Sequence, residues 1–219
     1  MKVLVVYAHP SREGSHNSSV LEEVLAFLDE KAVDYRLIDL YGESFRPELS
    51  RKEWEDHKFA EEKIVEYQRA VRDSSSLIFI YPVWWYTCPA ILKGFFDRVF
   101  TSGFAYNFRK EPLWMKAAAS LFGPLLSIRL LYPIYSRLLP VDQHLSGKKA
   151  LMINTFGGDA AGLRLYGDAP RYSVDRAILE FCGVRPVYRV HWFNARHKDD
   201  LEIPSGVKKR IHAALARLV

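Results

Sequence analysis

The feature that most constrains this chain is its alternation of short apolar runs with segments of helical periodicity. Five β-branched apolar runs fit buried strands, because strands covered on both faces have near-continuous apolar sequence. These runs are residues 2–7, 35–40, 76–81, 149–156 and 186–192. Helical spacing of apolar residues covers about 20–31, 59–73, 89–100, 174–182 and 206–219. Strands that alternate with helices predict an α/β domain with a parallel sheet.

Right-handed crossovers between such strands predict a doubly wound sheet. For the strand order 2-1-3-4-5, ligands bind beyond the carboxyl ends of the first and third strands, where the order reverses. The loops at that point are residues 8–19 and 82–88. We therefore predict one five-stranded domain over residues 1–219, with a ligand crevice between these loops.

The first loop has small hydroxyl and amide side chains where a helix begins. It lacks both GxxxxGK and GxGxxG, so neither a P-loop nor a dinucleotide fingerprint is present. Ser15, Asn17 and Ser18 lie at the helix start, where free N–H groups and the helix dipole favour an anion. The pattern fits a phosphate-binding loop, and it also fits ordinary capping of the helix by Asn17 or Ser18.

The second loop contains three consecutive aromatic residues, Trp84, Trp85 and Tyr86. Consecutive side chains cannot all face a core, and an exposed tryptophan usually has a binding role. The loop therefore indicates either a stacking surface for a flat aromatic ligand or an oligomer interface.

The third loop, "NTFGGDAAG", follows the fourth strand and contains Gly157 and Gly158. Glycines allow a backbone to approach a ligand closely, and their N–H groups can bind negative charge that develops on a ring. A simple turn explains the same pair. All three loops emerge at one edge of the sheet, and together they fit a bound flavin nucleotide.

Composition and charge exclude several classes of protein. The formal net charge is +5, and the segment 107–149 holds seven Lys or Arg residues against two acidic ones. No aromatic-basic RNA motif or zinc finger accompanies this charge, so we expect no nucleic-acid partner. Two cysteines without CxxC spacing give no metal site, and we expect both to be reduced and buried. The amino terminus has no secretory pattern, so we expect a cytoplasmic protein.

Four segments resemble a known family, the NAD(P)H:quinone oxidoreductases of the flavodoxin-like fold. They are "YAHPSREGSHN", "YPVWWYTCPAILKGFFDRVFTSGFAY", "TFGG" and "AILEFCG". The resemblance covers about residues 1–195. It implies a bound FMN or FAD, NADH or NADPH as co-substrate, a quinone-like substrate and a homodimer with two shared sites.

The resemblance also implies roles for individual residues. The phosphate and ribityl end of the flavin would contact His9, Ser15, His16 and Asn17. One side of the isoalloxazine ring would contact Pro82, Val83, Trp84, Trp85 and Tyr86, and the other side Thr155, Phe156, Gly157 and Gly158. The candidate catalytic residues are Gly157, Tyr166 and Tyr106, the last matching a stretch beside the partner subunit's site.

Two departures from the family pattern bear on mechanism and partners. Members often place a Tyr and a His after the glycine pair, whereas this chain has Leu163 there, no histidine, and only Tyr166 and Tyr172 as substitutes. The segment 107–147 is a longer connection, apolar and basic, which we interpret as a helical insertion before the fourth strand. It either packs over the site or a second subunit, or lies on an anionic membrane as a peripheral contact.

The sequence thus predicts a flavin-dependent NAD(P)H oxidoreductase that reduces quinones or similar planar acceptors by two-electron hydride transfer. One alternative is a flavodoxin-like electron carrier, although such carriers present an acidic face and this chain has a net charge of +5. Another is a regulatory subunit that docks on a membrane transporter, which the basic insertion permits.

Overall fold

A computed structural model describes residues 2–56, 61–110, 140–196 and 200–219. Its strands are β1 (Lys2–Tyr7), β2 (Asp34–Asp39), β3 (Ser76–Pro82), β4 (Tyr106–Phe108), β5 (Val141–Gln143), β6 (Lys149–Thr155) and β7 (Val187–Trp192). Its helices are α1 (His16–Glu30), α2 (Arg51–Asp56), α3 (Glu62–Asp73), α4 (Ala90–Val99), α5 (Ala160–Leu165), α6 (Arg171–Glu180) and α7 (Ser205–Leu218). Helix α6 has π-helical hydrogen bonding.

Five of the strands form one parallel sheet in the order β2-β1-β3-β6-β7. This confirms the predicted order 2-1-3-4-5, with β6 and β7 as the fourth and fifth strands of the sheet. Strand β3 is central and buried along its whole length, because helices cover both faces of the sheet there. The α/β flavodoxin-like fold class is therefore confirmed.

Each face of the sheet contributes to its own core, since successive strand side chains point to opposite faces. Leu77, Phe79 and Tyr81 of β3 pack with residues of α3, α4 and α6. Ile78 and Ile80 pack instead with residues of α1 and α7. The strand edge that carries the carboxyl ends is therefore flanked by helices on both sides.

Some short elements were not predicted from the sequence. Helices α2 and α5 have only six residues each, too few to show a helical period. Strands β4 and β5 pair antiparallel at the two ends of the predicted 107–147 insertion. Residues 111–139 lie outside the described residues, as does the predicted helix start at residues 59–60.

Helix α4 is held in place by a close contact and a buried ion pair. A Cβ built on Gly94 would lie 2.3 Å from the carbonyl oxygen of Pro47, so only glycine fits there. The Arg98 side chain is 3% exposed and contacts the carboxylates of Glu53 and Glu61. These contacts fix the helix that follows the aromatic loop.

Candidate functional site

A crevice of about 700 Å³ lies at the carboxyl edge of the sheet. Its walls come from the loops that follow β1, β3, β6 and β7, as expected for the switch point of a doubly wound sheet. The volume is within the range of small-molecule sites. Ten of the predicted cofactor-binding residues line it: His9, Ser15, His16, Asn17, Pro82, Val83, Trp84, Trp85, Thr155 and Gly157.

The start of α1 forms one end of the crevice. Ser15 and Ser18 make a reciprocal capping box, in which each residue's N–H donates to the other's hydroxyl at 3.0 Å. The N–H groups of His16 and Asn17 belong to the first turn and have no acceptor within the helix. The capping box therefore leaves these two N–H groups available to an anion, because it uses only part of the first turn.

Asn17 connects α1 to the sheet beneath the crevice. Its side chain is buried, and Nδ2 donates to the Thr155 hydroxyl at 2.8 Å. Its Oδ1 is buried and accepts no hydrogen bond from any described residue. A buried acceptor normally has a donor. A ligand hydroxyl, such as those of a ribityl chain, would supply one.

The aromatic loop is a tight two-residue turn. The N–H of Trp84 donates to the Thr87 carbonyl and the N–H of Thr87 donates to the Trp84 carbonyl, both at 3.1 Å. Trp85 and Tyr86 have φ angles of 51° and 58°, the left-handed region that such turns require and that usually holds Asn or Gly. The turn leaves Trp84 and Trp85 at the surface, 44% and 96% exposed.

Tyr86, predicted to line the ring, faces away from the crevice. Its ring packs against Tyr166 of the α5–α6 connection, with centroids 4.3 Å apart and planes tilted by 37°. Tyr166 is itself 60% exposed. The half-buried Tyr86 and the exposed Tyr166 thus form an aromatic pair beside the tryptophans, and their predicted roles stay predictions.

The glycine loop divides its residues between the crevice and the core. Gly157 lines the crevice, whereas Phe156 is buried against His191 and Phe193, with centroids 5.1 and 4.9 Å away. A Cβ on Gly158 would meet no atom within 4 Å, so space around its backbone is open. The structure thus places Gly157, and not the Phe156 ring, on the wall of the crevice.

Arg196 is a crevice residue that the sequence analysis missed. Its loop is tied to the glycine loop by two backbone hydrogen bonds of 2.9 Å, from Asn194 to Gly158 and from Ala195 to Phe156. The Arg196 Nε donates to the Gly157 carbonyl. The available signal was its position, since Arg196 follows β7 at the same edge of the sheet as the predicted loops.

Tyr106 lies in a different cavity, of about 600 Å³, between α4, α6 and β4. It contacts Phe108 and Phe181, with ring centroids 5.3 and 5.1 Å away. Phe108 is 70% exposed. Tyr106 is therefore not part of this chain's own crevice, and its assignment to a partner subunit's site stays a prediction.

A buried charged cluster lies next to the crevice, on the face of the sheet covered by α6. The Arg189 guanidinium contacts both carboxylate oxygens of Asp168, at 2.6 and 2.7 Å, and its Nε lies 2.9 Å from Asp175 Oδ2. Asp175 is 2% exposed, and this burial raises its pKa to about 7 even though Arg189 is adjacent. Burial also lowers the pKa of His191 to about 4. The cluster attaches the α5–α6 segment to the sheet.

The described residues contain neither a metal-binding cluster nor a membrane-spanning helix. Within those four ranges, no three His, Cys, Asp or Glu side chains are grouped so that they could hold a metal ion. In the same part of the chain, no helix combines the length and apolarity needed to cross a membrane.

The crevice fits a flavin nucleotide. The free N–H groups of the α1 first turn can bind a phosphate, and the Asn17 Oδ1, which has no donor among the described residues, can accept from a hydroxyl. The exposed indoles of Trp84 and Trp85 can stack on a flat ring. The fold and this crevice together define a flavodoxin-like α/β protein.

Comparisons with known proteins narrow this class. A family model described as flavodoxin-like fold matches residues 1–122. NAD(P)H dehydrogenase [quinone] 1 of Cavia porcellus is 27% identical over 96% of this chain and 76% of its own length. A solved NAD(P)H:quinone oxidoreductase from Methanothermobacter marburgensis is 26% identical, with a TM-score of 0.71 over 99% of this chain and 96% of that one. This chain belongs to the flavodoxin-like family that the family model describes, and NAD(P)H:quinone oxidoreductases are among the proteins it resembles over most of its length.

A more distant structure shares the fold. The FMN-dependent NADH-azoreductase of Bacillus anthracis, solved in complex with FMN, is 17% identical, with a TM-score of 0.70 over 99% of this chain and 98% of that one.

Proposed function

We propose that the chain binds FMN or FAD in the carboxyl-edge crevice and uses NADH or NADPH to reduce quinones or similar planar acceptors. The observation that carries this proposal is the pairing, in one crevice, of an anion-binding helix start with exposed tryptophans and an accessible glycine backbone. The quinone and NAD(P)H parts are supported by the names of the relatives that match most of the chain.

Different residues of the crevice bind different parts of the flavin. The N–H groups of His16 and Asn17 bind the phosphate, and the Asn17 Oδ1 accepts from the sugar chain. Trp84 and Trp85 stack against the ring and exclude water from it. The Gly157 N–H group lies where negative charge on the ring would be stabilised. The bound flavin supplies the hydride chemistry, accepting from NAD(P)H and donating to the acceptor.

Two further parts of the proposal concern assembly and location. We propose a homodimer in which Tyr106 of each subunit lies beside the partner's crevice, consistent with the exposed Phe108 next to it. Sedimentation equilibrium tests this, and a monomer at micromolar concentration would contradict it. We also propose a cytoplasmic protein that contacts anionic membranes through residues 107–147. Co-sedimentation with phosphatidylserine vesicles at low salt, reversed by high salt, is the expected result.

The decisive experiment is an absorption spectrum of the purified protein, followed by mass identification of the released flavin. We expect a yellow protein, or a colourless one that becomes yellow with added FMN or FAD. Steady-state oxidation of NADH or NADPH with a soluble quinone then separates the alternatives. An electron carrier would bind flavin without this turnover, and a regulatory subunit would co-purify with membranes. Failure to take up either flavin would refute the proposed enzyme.

A further inference from the structure

Arg196 brings a permanent positive charge to the crevice. Among the described residues that line it, Arg196 is the only lysine or arginine. Arginine stays protonated at any physiological pH. We propose that Arg196 tunes the redox chemistry of the bound flavin, making its reduction more favourable by placing this charge beside the ring. The inference rests on the proposed function.

The position of Arg196 relative to the glycine loop is fixed by several contacts. Backbone hydrogen bonds join the neighbouring residues Asn194 and Ala195 to the loop, and the Arg196 Nε donates to the carbonyl of Gly157 itself. A Cβ on Gly157 would meet only the Arg196 Cγ, at 3.9 Å, so the stem of Arg196 lies along this residue. The guanidinium therefore belongs to the part of the crevice formed by Gly157.

Its remaining donors have no partner among the described residues. No hydrogen bond or ion pair to a described residue is formed by Nη1 or Nη2 of Arg196. The two ends of the crevice have different chemistry, since the α1 first turn already offers N–H groups for a phosphate. Arg196 is instead bonded to the glycine loop, which points to the ring as the group it faces.

Hydride transfer changes the charge of the flavin ring, and the guanidinium of Arg196 would act on that charge. A hydride carries one proton and two electrons, so its transfer from NAD(P)H to a bound flavin would leave NAD(P)⁺ and add one net negative charge to the flavin ring. A proton from solvent, or passage of the hydride to the quinone, would remove that charge. A fixed guanidinium stabilises the charged reduced ring more than the neutral oxidised one. The midpoint potential of the bound flavin rises as a result.

The test compares Arg196→Gln and Arg196→Lys with a matched control, Arg164→Gln. Arg164 is an exposed arginine on α5 that does not line the crevice, and its replacement removes the same charge. Midpoint potentials and dissociation constants of oxidised and reduced FMN are measured for each. In R196Q, we expect the ratio of the dissociation constants of oxidised and reduced FMN to fall about tenfold. For a two-electron couple, this fall equals a decrease of ~30 mV in the midpoint potential. R196K should keep most of this preference, and R164Q all of it.

Two outcomes would overturn the inference while leaving the enzyme assignment intact. In the first, R196Q binds oxidised and reduced FMN more weakly by the same factor but binds riboflavin as tightly as wild type does. This result would mean that Arg196 contacts the phosphate and not the ring. In the second, R196Q has the wild-type potential. A smaller difference between wild type and R196Q at 0.5 M salt would support the inference, because an exposed charge is screened. A wild-type protein that binds no flavin would overturn both the inference and the proposed function.

Discussion

Replacing Trp85 tests whether this residue has a strained backbone and is retained because its indole contacts a ligand. Trp85 is 96% exposed at a φ of 51°, so its side chain buries almost nothing while its backbone lies in the left-handed region. That region costs a non-glycine residue ~1–2 kcal/mol. Glycine removes this cost but adds ~0.4–1 kcal/mol of unfolded-state entropy. We expect the ligand-free Trp85→Gly protein to be about 0.5–1 kcal/mol more stable than wild type.

Alanine at the same position isolates the cause. Trp85→Ala removes the indole but keeps a Cβ, so the strain remains and no comparable gain in stability is expected. Both variants lose the ring that would stack on the flavin. An aromatic pair contributes ~0.5–1.5 kcal/mol beyond its buried area, so FMN should bind about 2- to 13-fold more weakly in both. Trp85→Phe should retain most of this affinity.

The two quantities are measured separately. Urea unfolding of the flavin-free proteins, followed by circular dichroism, gives the free energies of unfolding, and quenching of FMN fluorescence gives the affinities. Trp54→Ala is the control, because Trp54 is a 65%-exposed tryptophan on α2 that does not line the crevice. Equal stability of the Gly and Ala variants would refute the strain argument. Unchanged FMN affinity in both would show that the indole is not a ring contact.

Three further predictions concern the scaffold. Since burial raises the pKa of Asp175 to about 7, the folded protein holds a proton between about pH 4 and 7 that the unfolded chain releases, and stability falls as pH rises. His191 titrates in the opposite sense, so the pH profile of urea unfolding is measured for wild type and for Asp175→Asn. Relative to this variant, wild type should lose on the order of 3 kcal/mol of its free energy of unfolding between pH 4.5 and 8, and a parallel pH profile would contradict this. Arg98→Met leaves the buried carboxylate of Glu53 without its positive partner and should lower the free energy of unfolding by ~3–5 kcal/mol. A loss under 1 kcal/mol would mean that the Arg98–Glu53 pair is solvated. Gly94→Ala forces a Cβ against the Pro47 carbonyl oxygen and should lower the free energy of unfolding by ~1–3 kcal/mol in the same assay. An unchanged free energy would contradict this close contact between Gly94 and Pro47.

Much of the fold was predictable because its signals are local. The β3 run 76–81 is apolar at every position except its first, which is the pattern of a strand covered on both faces, and all seven residues of β3 are buried. Connection handedness then limits the strand order, and the order places the loops after β1 and β3 together. The position of the crevice, and ten of its predicted residues, followed from these steps and from the family resemblance.

The directions of side chains within the loops were not predictable, because they depend on contacts between segments distant in sequence. Tyr86 and Phe156 stand in the predicted loops, yet the first packs on Tyr166 and the second on Phe193. Arg196 enters the crevice only because its loop bonds to the glycine loop. The sequence by itself determined the five strands of the parallel sheet, their order and the edge at which the crevice lies, since hydrophobic periodicity and chain chirality act locally. Tertiary packing alone decided which side chains line that crevice, because each loop's backbone is set by its partners across the sheet.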